Sequence, residues 1–247
     1  MTALIMPLVG FMFFLMLFAL LIVFLLNGSS AAKPRKKYRD SQYARKPNPK
    51  SSLSREEKTQ LKGAIGEQII KVEVLSKLDP SRYRYFHNLI VPIGNGSTQI
   101  DNIIVSPYGI FVVEAKYFQG WIFGNAGQPK WTHTLPSGSK FTFQNPLWQN
   151  YKHIKALAAL LKLPEKQFHS VVVFTHRHCR LKTEFPENVC PVRDFIAYVQ
   201  KHQQEIFTIE QCADFCAVLS NPVYEATPER TEQHIQSLKN RKNVQTA

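Results

Sequence analysis

The chain has no Gly-x-x-x-x-Gly-Lys-Ser/Thr loop, no Gly-x-Gly-x-x-Gly turn and no Gly-x-Ser-x-Gly elbow. Its motifs therefore offer no cradle for a nucleoside triphosphate, no dinucleotide fingerprint and no activated-serine hydrolysis. Cysteine is scarce, four in 247 residues, and no two stand as Cys-x-x-Cys. Cys179, Cys190, Cys212 and Cys216 lack zinc-site spacing and read as buried free thiols in a reducing cytosol. His176 and His178 form a single pair with no third ligand in sight and read as a solvated loop. No internal repeat is evident. Acids are outnumbered, 18 Asp and Glu against 31 Lys and Arg, for a net charge of +13.

The first 32 residues carry no charged side chain. Residues 4–26 are almost wholly apolar, and at about 1.5 Å rise per residue such a run crosses a bilayer core of roughly 30 Å. A cleaved signal peptide would have a basic leading region and a shorter apolar core; only the small residues 29–32 suit cleavage. Lys33, Arg35, Lys36, Lys37 and Arg39 follow at once, and positive charge stays on the inner side. The expectation is a single-pass protein of a bacterial inner membrane, its C-terminal domain cytoplasmic. Residues 27–60 read as a basic, flexible linker punctuated by Pro34, Pro47 and Pro49. Between 33 and 62, eleven Lys or Arg face three acids, net +8; between 63 and 224, sixteen face twelve, net +4. Such an arm attracts anionic lipids at about 1 kcal/mol per basic residue. It can equally contact nucleic acid phosphates. Residues 61–220 are long enough for one α/β domain with a sizeable core, and 221–247 read as a polar tail, either a frayed helix or disordered.

What is present and distinctive is the stretch 99–116, QIDNIIVSPYGIFVVEAK. Two β-rich runs flank Ser106-Pro-Tyr-Gly109, whose Pro and Gly suit a tight turn. With Ser106 opposite Gly109, Asp101 falls across from Glu114 and Gln99 across from Lys116, with Cβ atoms roughly 5 Å apart. Alternation sets Gln99, Asp101, Glu114 and Lys116 on one side with Ile103, Val105, Ile110 and Val112. Ile100, Ile104, Phe111 and Val113 face the other way. Both faces are mainly apolar, as in a central strand pair. Opposed buried carboxylates demand a cation, and hard oxygen ligands suit Mg²⁺ or Mn²⁺. Lys116 could polarise an activated water or neutralise charge developing on a phosphate. The plainer reading of the same residues is an ion pair at a hairpin's end.

These residues resemble the Asp…Glu-x-Lys core of the PD-(D/E)xK nuclease superfamily, and their neighbours resemble its nuclease-related domain (NERD). The blocks that carry the likeness are Gly63-Ala-Ile-Gly-Glu67, Gln99-Ile-Asp101, Gly109 through Lys116, Gly120 with Trp121, Trp131, and Gln144-Asn-Pro146 with Gln149. They span about residues 61–165. The likeness implies a restriction-endonuclease-like mixed sheet flanked by helices. It implies that Asp101 and Glu114 bind metal, that Lys116 is catalytic and that Glu67 adds a carboxylate. Ile100 stands where the superfamily has proline. The implied activity is Mg²⁺-dependent phosphodiester hydrolysis of DNA, less readily RNA, with homodimers a known habit of the fold. Binding-only members could keep the same residues, so a non-catalytic module holding nucleic acid or protein at the membrane is the alternative.

The surrounding elements are read from periodicity. Residues 63–78 form a helix with a stripe of Ile65, Ile69, Val72 and Leu75, widened by Ile70 and Val74, with Glu67 at its edge near the helix start. Short β pieces at 120–123, 130–134 and 140–143 suggest a meander extending the sheet. Residues 145–163 form a helix with Leu147, Tyr151, Ile154, Leu157, Ala158 and Leu161 inward and Gln149 and Lys152 beside them. Residues 170–175 read as a buried strand, and 192–202 and 209–219 as closing helices.

Overall fold

The computed structural model describes residues 53–245. The apolar run 4–26 and most of the basic linker lie outside the described residues. Among the described residues, no helix is long and apolar enough to cross a membrane.

Two mixed sheets and the helices around them make up this unit. Helix α1 (Arg55–Lys77) precedes β1 (Arg84–Ile93), β2 (Gly96–Ser106) and β3 (Gly109–Lys116). Strands β4 (Gly120–Phe123), β5 (Lys130–Thr134) and β6 (Lys140–Gln144) lead to helix α2 (Pro146–Leu161). Then come β7 (Phe168–Phe174), β8 (Cys179–Leu181), β9 (Val189–Pro191), α3 (Val192–Gln200), α4 (Ile209–Leu219) and α5 (Pro228–Gln245). The main sheet runs β1-β2-β3-β7-β9, antiparallel on one side of β3 and parallel on the other. Its middle strands are apolar on both faces because both are covered. Ile103, Val105, Ile110 and Val112 pack with Ile154, Leu157 and Leu161 of α2 and with Phe207 and Leu219 around α4. Ile104, Phe111, Val113, Val171 and Val173 pack with Ile70 and Val74 of α1 and Phe195 and Val199 of α3.

Several expectations need correction. The short pieces β4 to β6 do not extend the main sheet; with β8 they form a second sheet, ordered β6-β5-β4-β8. Its inner face buries Ile122 and Trp131 against Phe174 and Val189. Helix α1 starts at Arg55, inside the stretch read as linker, because Ser54 and Glu57 form a capping box. Its buried line is Gly66, Ile70, Val74 and, at its C-cap, Leu78; Val72 and Leu75 are exposed. In α2, Tyr151 is exposed while Asn150 and His153 are buried. Beyond residue 220 the chain forms an ordered helix, docked where Arg230 donates to the Ile90 carbonyl and the His234 and Ser97 side chains hydrogen-bond at 2.7 Å.

Ile100 also sits on the unexpected side, in the same core layer as Ile103. The cause is a shared interruption of β1 and β2. Pairing runs regularly to His87↔Asn102 and resumes at Leu89↔Ile100, so Asn88 and Asp101 are both skipped. Asn88 adopts φ 55°, a left-handed conformation that Asn tolerates better than most residues. One residue omitted on each strand inverts the alternation beyond it without changing the register.

Candidate active site

The hairpin register is the one its turn dictates. Ser106 pairs with Gly109, and the ladder continues through Val105↔Ile110 to Asn102↔Val113. There the regular β2–β3 pairing stops, one step before Asp101 and Glu114. The two acids therefore stand where the strands part, Asp101 at the break in β2 and Glu114 within the parallel pairing of β3 to β7, level with Val172.

Glu114 is almost fully buried, 1% exposed. Burial alone would raise its pKa, yet the pull of Lys116 and the nearby His153 outweigh it and hold the carboxylate ionised. The Lys116 ammonium donates to Glu114 Oε1 at 2.5 Å and to Gln149 Oε1 at 3.2 Å. The Lys116 pKa is raised, since the attraction of Glu114 exceeds the cost of desolvation. Glu114 Oε2 faces His153 Nε2 at 3.4 Å, and neither atom has a hydrogen-bond partner among the described residues. His153 Nδ1 is fixed by Thr98 Oγ1 at 2.9 Å.

Asp101 shows the opposite displacement. Desolvation, then the charges of Glu114 and Glu67, push its carboxyl well above the usual range against the weaker pull of Lys116. Glu67 is raised too, by desolvation and by Glu114. All three carboxylates thus share one electrostatic field, with one ammonium to balance them. Glu67 comes near because Gly66 lets α1 approach the sheet; a Cβ there would lie 3.3 Å from Thr175 Oγ1 and 3.5 Å from the Tyr117 Cβ.

Helix α2 is pinned to the sheet from within. Asn150 Nδ2 donates to the Val112 carbonyl at 2.7 Å and Ser170 Oγ at 3.0 Å. At the helix start, the Asn145 side chain caps Leu147 N and gathers the carbonyls of Ala126 and Gln128. Those bonds aim Gln149 at Lys116 and His153 at Glu114. His153 is the residue that sequence reasoning passed over, and its spacing of four from Gln149 on one helix was the available signal. Lys152, by contrast, is exposed. The free cysteines are buried or half-buried, and burial pushes the Cys179 and Cys190 thiols up to about 12.

The donor set suits a hard divalent cation: carboxylate oxygens in excess of positive charge, one of them buried without a full partner. Among the described residues, however, no three ligand side chains are gathered closely enough to enclose an ion as they stand. Lys116 meanwhile supplies the positive charge beside Glu114.

An uncharacterized protein of Bacillus anthracis is 40% identical over 136 residues, covering 54% of this chain and 62% of the relative. The chain thus spans under two thirds of that relative's length. No solved structure matches. The model of the nuclease-related domain family matches residues 62–175, which hold Glu67, Asp101, Glu114, Lys116, Gln149 and His153. Over residues 62–175, then, the chain matches the nuclease-related domain family.

Proposed function

We propose that this domain is a metal-dependent nuclease with a restriction-endonuclease-like core, hydrolysing phosphodiester bonds of DNA in preference to RNA. The observation that carries the reading is the Lys116 ammonium held between Glu114 and Gln149 beside two further acids whose pKa values are raised. Asp101 and Glu114 would hold Mg²⁺ or Mn²⁺, with Glu67 as a third carboxylate. When bound, the ion supplies Lewis-acid stabilisation of phosphate charge and a more acidic water. The chain's own part is positional. Glu114 stays ionised in a dry setting and fixes the Lys116 ammonium, which orients the attacking water and offsets negative charge on the phosphate oxygens. Gln149 limits the swing of Lys116, and His153 braces Glu114 from behind.

In this reading residues 4–26 anchor the chain in a bacterial inner membrane with the domain on the cytoplasmic side. The basic segment that follows draws it to anionic lipid headgroups, and two copies act together as a homodimer. The test uses the full-length chain with supercoiled and linear DNA and with RNA, at low salt with Mg²⁺ or Mn²⁺. The expected result is DNA cleavage that falls at least about 100-fold in Asp101→Ala and in Lys116→Ala, with binding retained. Uncut nucleic acid held in a salt-sensitive complex would instead support a binding module tethered at the membrane.

A further inference from the structure

The second sheet has two faces of different chemistry. Its inner face is core, with Ile122, Trp131 and Cys179 buried. Alternation along β4 turns Trp121 and Phe123 to the other side, where they are 36% and 39% exposed. The register spreads a defined set of neighbours around them. Trp121 stands level with Arg180 on β8 and with Thr134 on β5, and Thr134 in turn with Lys140 on β6. Phe123 stands level with Thr132, and Thr132 with Thr142. Lys130 and Lys182, both exposed, lie at the ends of this face. None of the four strands contains an Asp or Glu.

Both rings keep more than a third of their surface in water, apolar area that burial would remove at a gain. A surface bound for an aliphatic partner would continue them with Leu, Ile or Val; here the continuation is Thr, Lys and Arg. Rings that offer flat faces, flanked on the strands by cations and by the Thr132 and Thr142 hydroxyls, with Glu184 a single acid lining the cavity beside Phe123, match a polyanion whose own units are flat rings. A duplex hides the faces of its bases, and a single strand presents them.

We propose that the outer face of the second sheet binds single-stranded nucleic acid, bases stacking on Trp121 and Phe123 while Arg180, Lys140 and Lys182 take the phosphates. The proposal deepens the nucleic-acid reading of the neighbouring site and rests on it. The connection is short. Three residues, 117–119, separate Lys116 from β4, and β8 follows soon after Thr175, whose amide donates to the Lys116 carbonyl. The second sheet is thereby tied through both β4 and β8 to the strand ends that carry Lys116.

The experiment measures binding of the full-length chain, in chelator, to labelled oligo(dT), to a duplex of equal length and to vesicles of anionic phospholipid. Anisotropy and quenching of tryptophan emission are the readouts. The expected result is at least tenfold preference for the single strand, and about a tenfold or greater loss when Trp121→Leu and Phe123→Leu are combined. Arg180→Ala with Lys140→Ala provides a second variant that leaves the aromatics in place, and it should flatten the salt dependence. Equal affinity for duplex and single strand, binding of oligo(dT) unchanged in both double variants, or vesicle binding weakened by those same variants would each overturn the proposal. Cleavage with Mg²⁺ is scored separately on plasmid. Cleavage without any effect of the surface variants on oligo(dT) removes the platform and keeps the nuclease. Binding of oligo(dT) that depends on Trp121 and Phe123, with no cleavage by the wild-type chain, does the reverse.

Discussion

Asp101 carries the sharpest tension in the site. Its pKa rises from 3.8 to about 8 through burial and the charges of Glu114 and Glu67. An acid whose folded-state value is raised binds its proton more tightly when folded. Stability is then fully present below the unfolded value and is lost as pH climbs through the folded one. Asp101→Asn removes that loss. In chelator, the variant should melt higher than wild type at pH 8, and the gap should shrink toward pH 4. Added Mg²⁺ should stabilise wild type more than the variant, since only wild type gains from a cation there. Thermal unfolding at the two pH values, with and without the ion, checks both statements. Lys116 behaves differently: removing it strands the buried Glu114 charge, and Lys116→Ala should cost about 3–5 kcal/mol in urea unfolding. Its folded state therefore needs a circular dichroism spectrum alongside any activity assay. The named acids, Lys116 and Gln149 were legible because turn, register and family blocks converge on them. His153 was not, because a histidine on an apolar helix face reads as core until the carboxylate it meets is known.

At the scale of elements, local signals located strands and helices better than they located partners. The β4, β5 and β6 segments were readable, yet their association with β8 depends on a strand that follows a long excursion through α2 and β7. Likewise α1 carries two apolar lines. Pattern alone favoured Val72 and Leu75, whereas Gly66, by permitting close approach, selects the line through Ile70 and Val74. The break at Asn88 and Asp101 has no periodicity signature, so the face of Ile100 was misread. Gly120 is the joint between the sheets, at φ 113°, with a hypothetical Cβ only 2.2 Å from the Thr134 carbonyl oxygen. Gly120→Ala should cost about 3 kcal/mol or more and loosen the second sheet first. Hydrogen exchange that rises in β4 and β5 before β2 and β3 is the expected pattern; uniform exchange would count against it.

For the whole molecule, charge is distributed as unevenly as function. The segment 33–62 holds +8 of the total +13. Neutralising Lys33, Arg35, Lys36, Lys37 and Arg39 together should reduce the salt dependence of DNA binding by about 0.7–0.9 per lost phosphate contact. It should leave cleavage at saturating substrate unchanged. A titration across salt concentrations measures the first and turnover the second. A reporter fused after Ala247 should be active only on the cytoplasmic side; activity outside would reverse the proposed orientation.

The parallel ladder between β3 and β7 also orders events in time. Glu67, Asp101, Glu114 and Lys116 all leave the ribosome before Val172 does, yet Val172 is the neighbour that closes the sheet beside Glu114. Until that strand arrives, Glu114 has no dry place to sit and Lys116 no fixed partner. The residues of the proposed site are thus made early and assembled late.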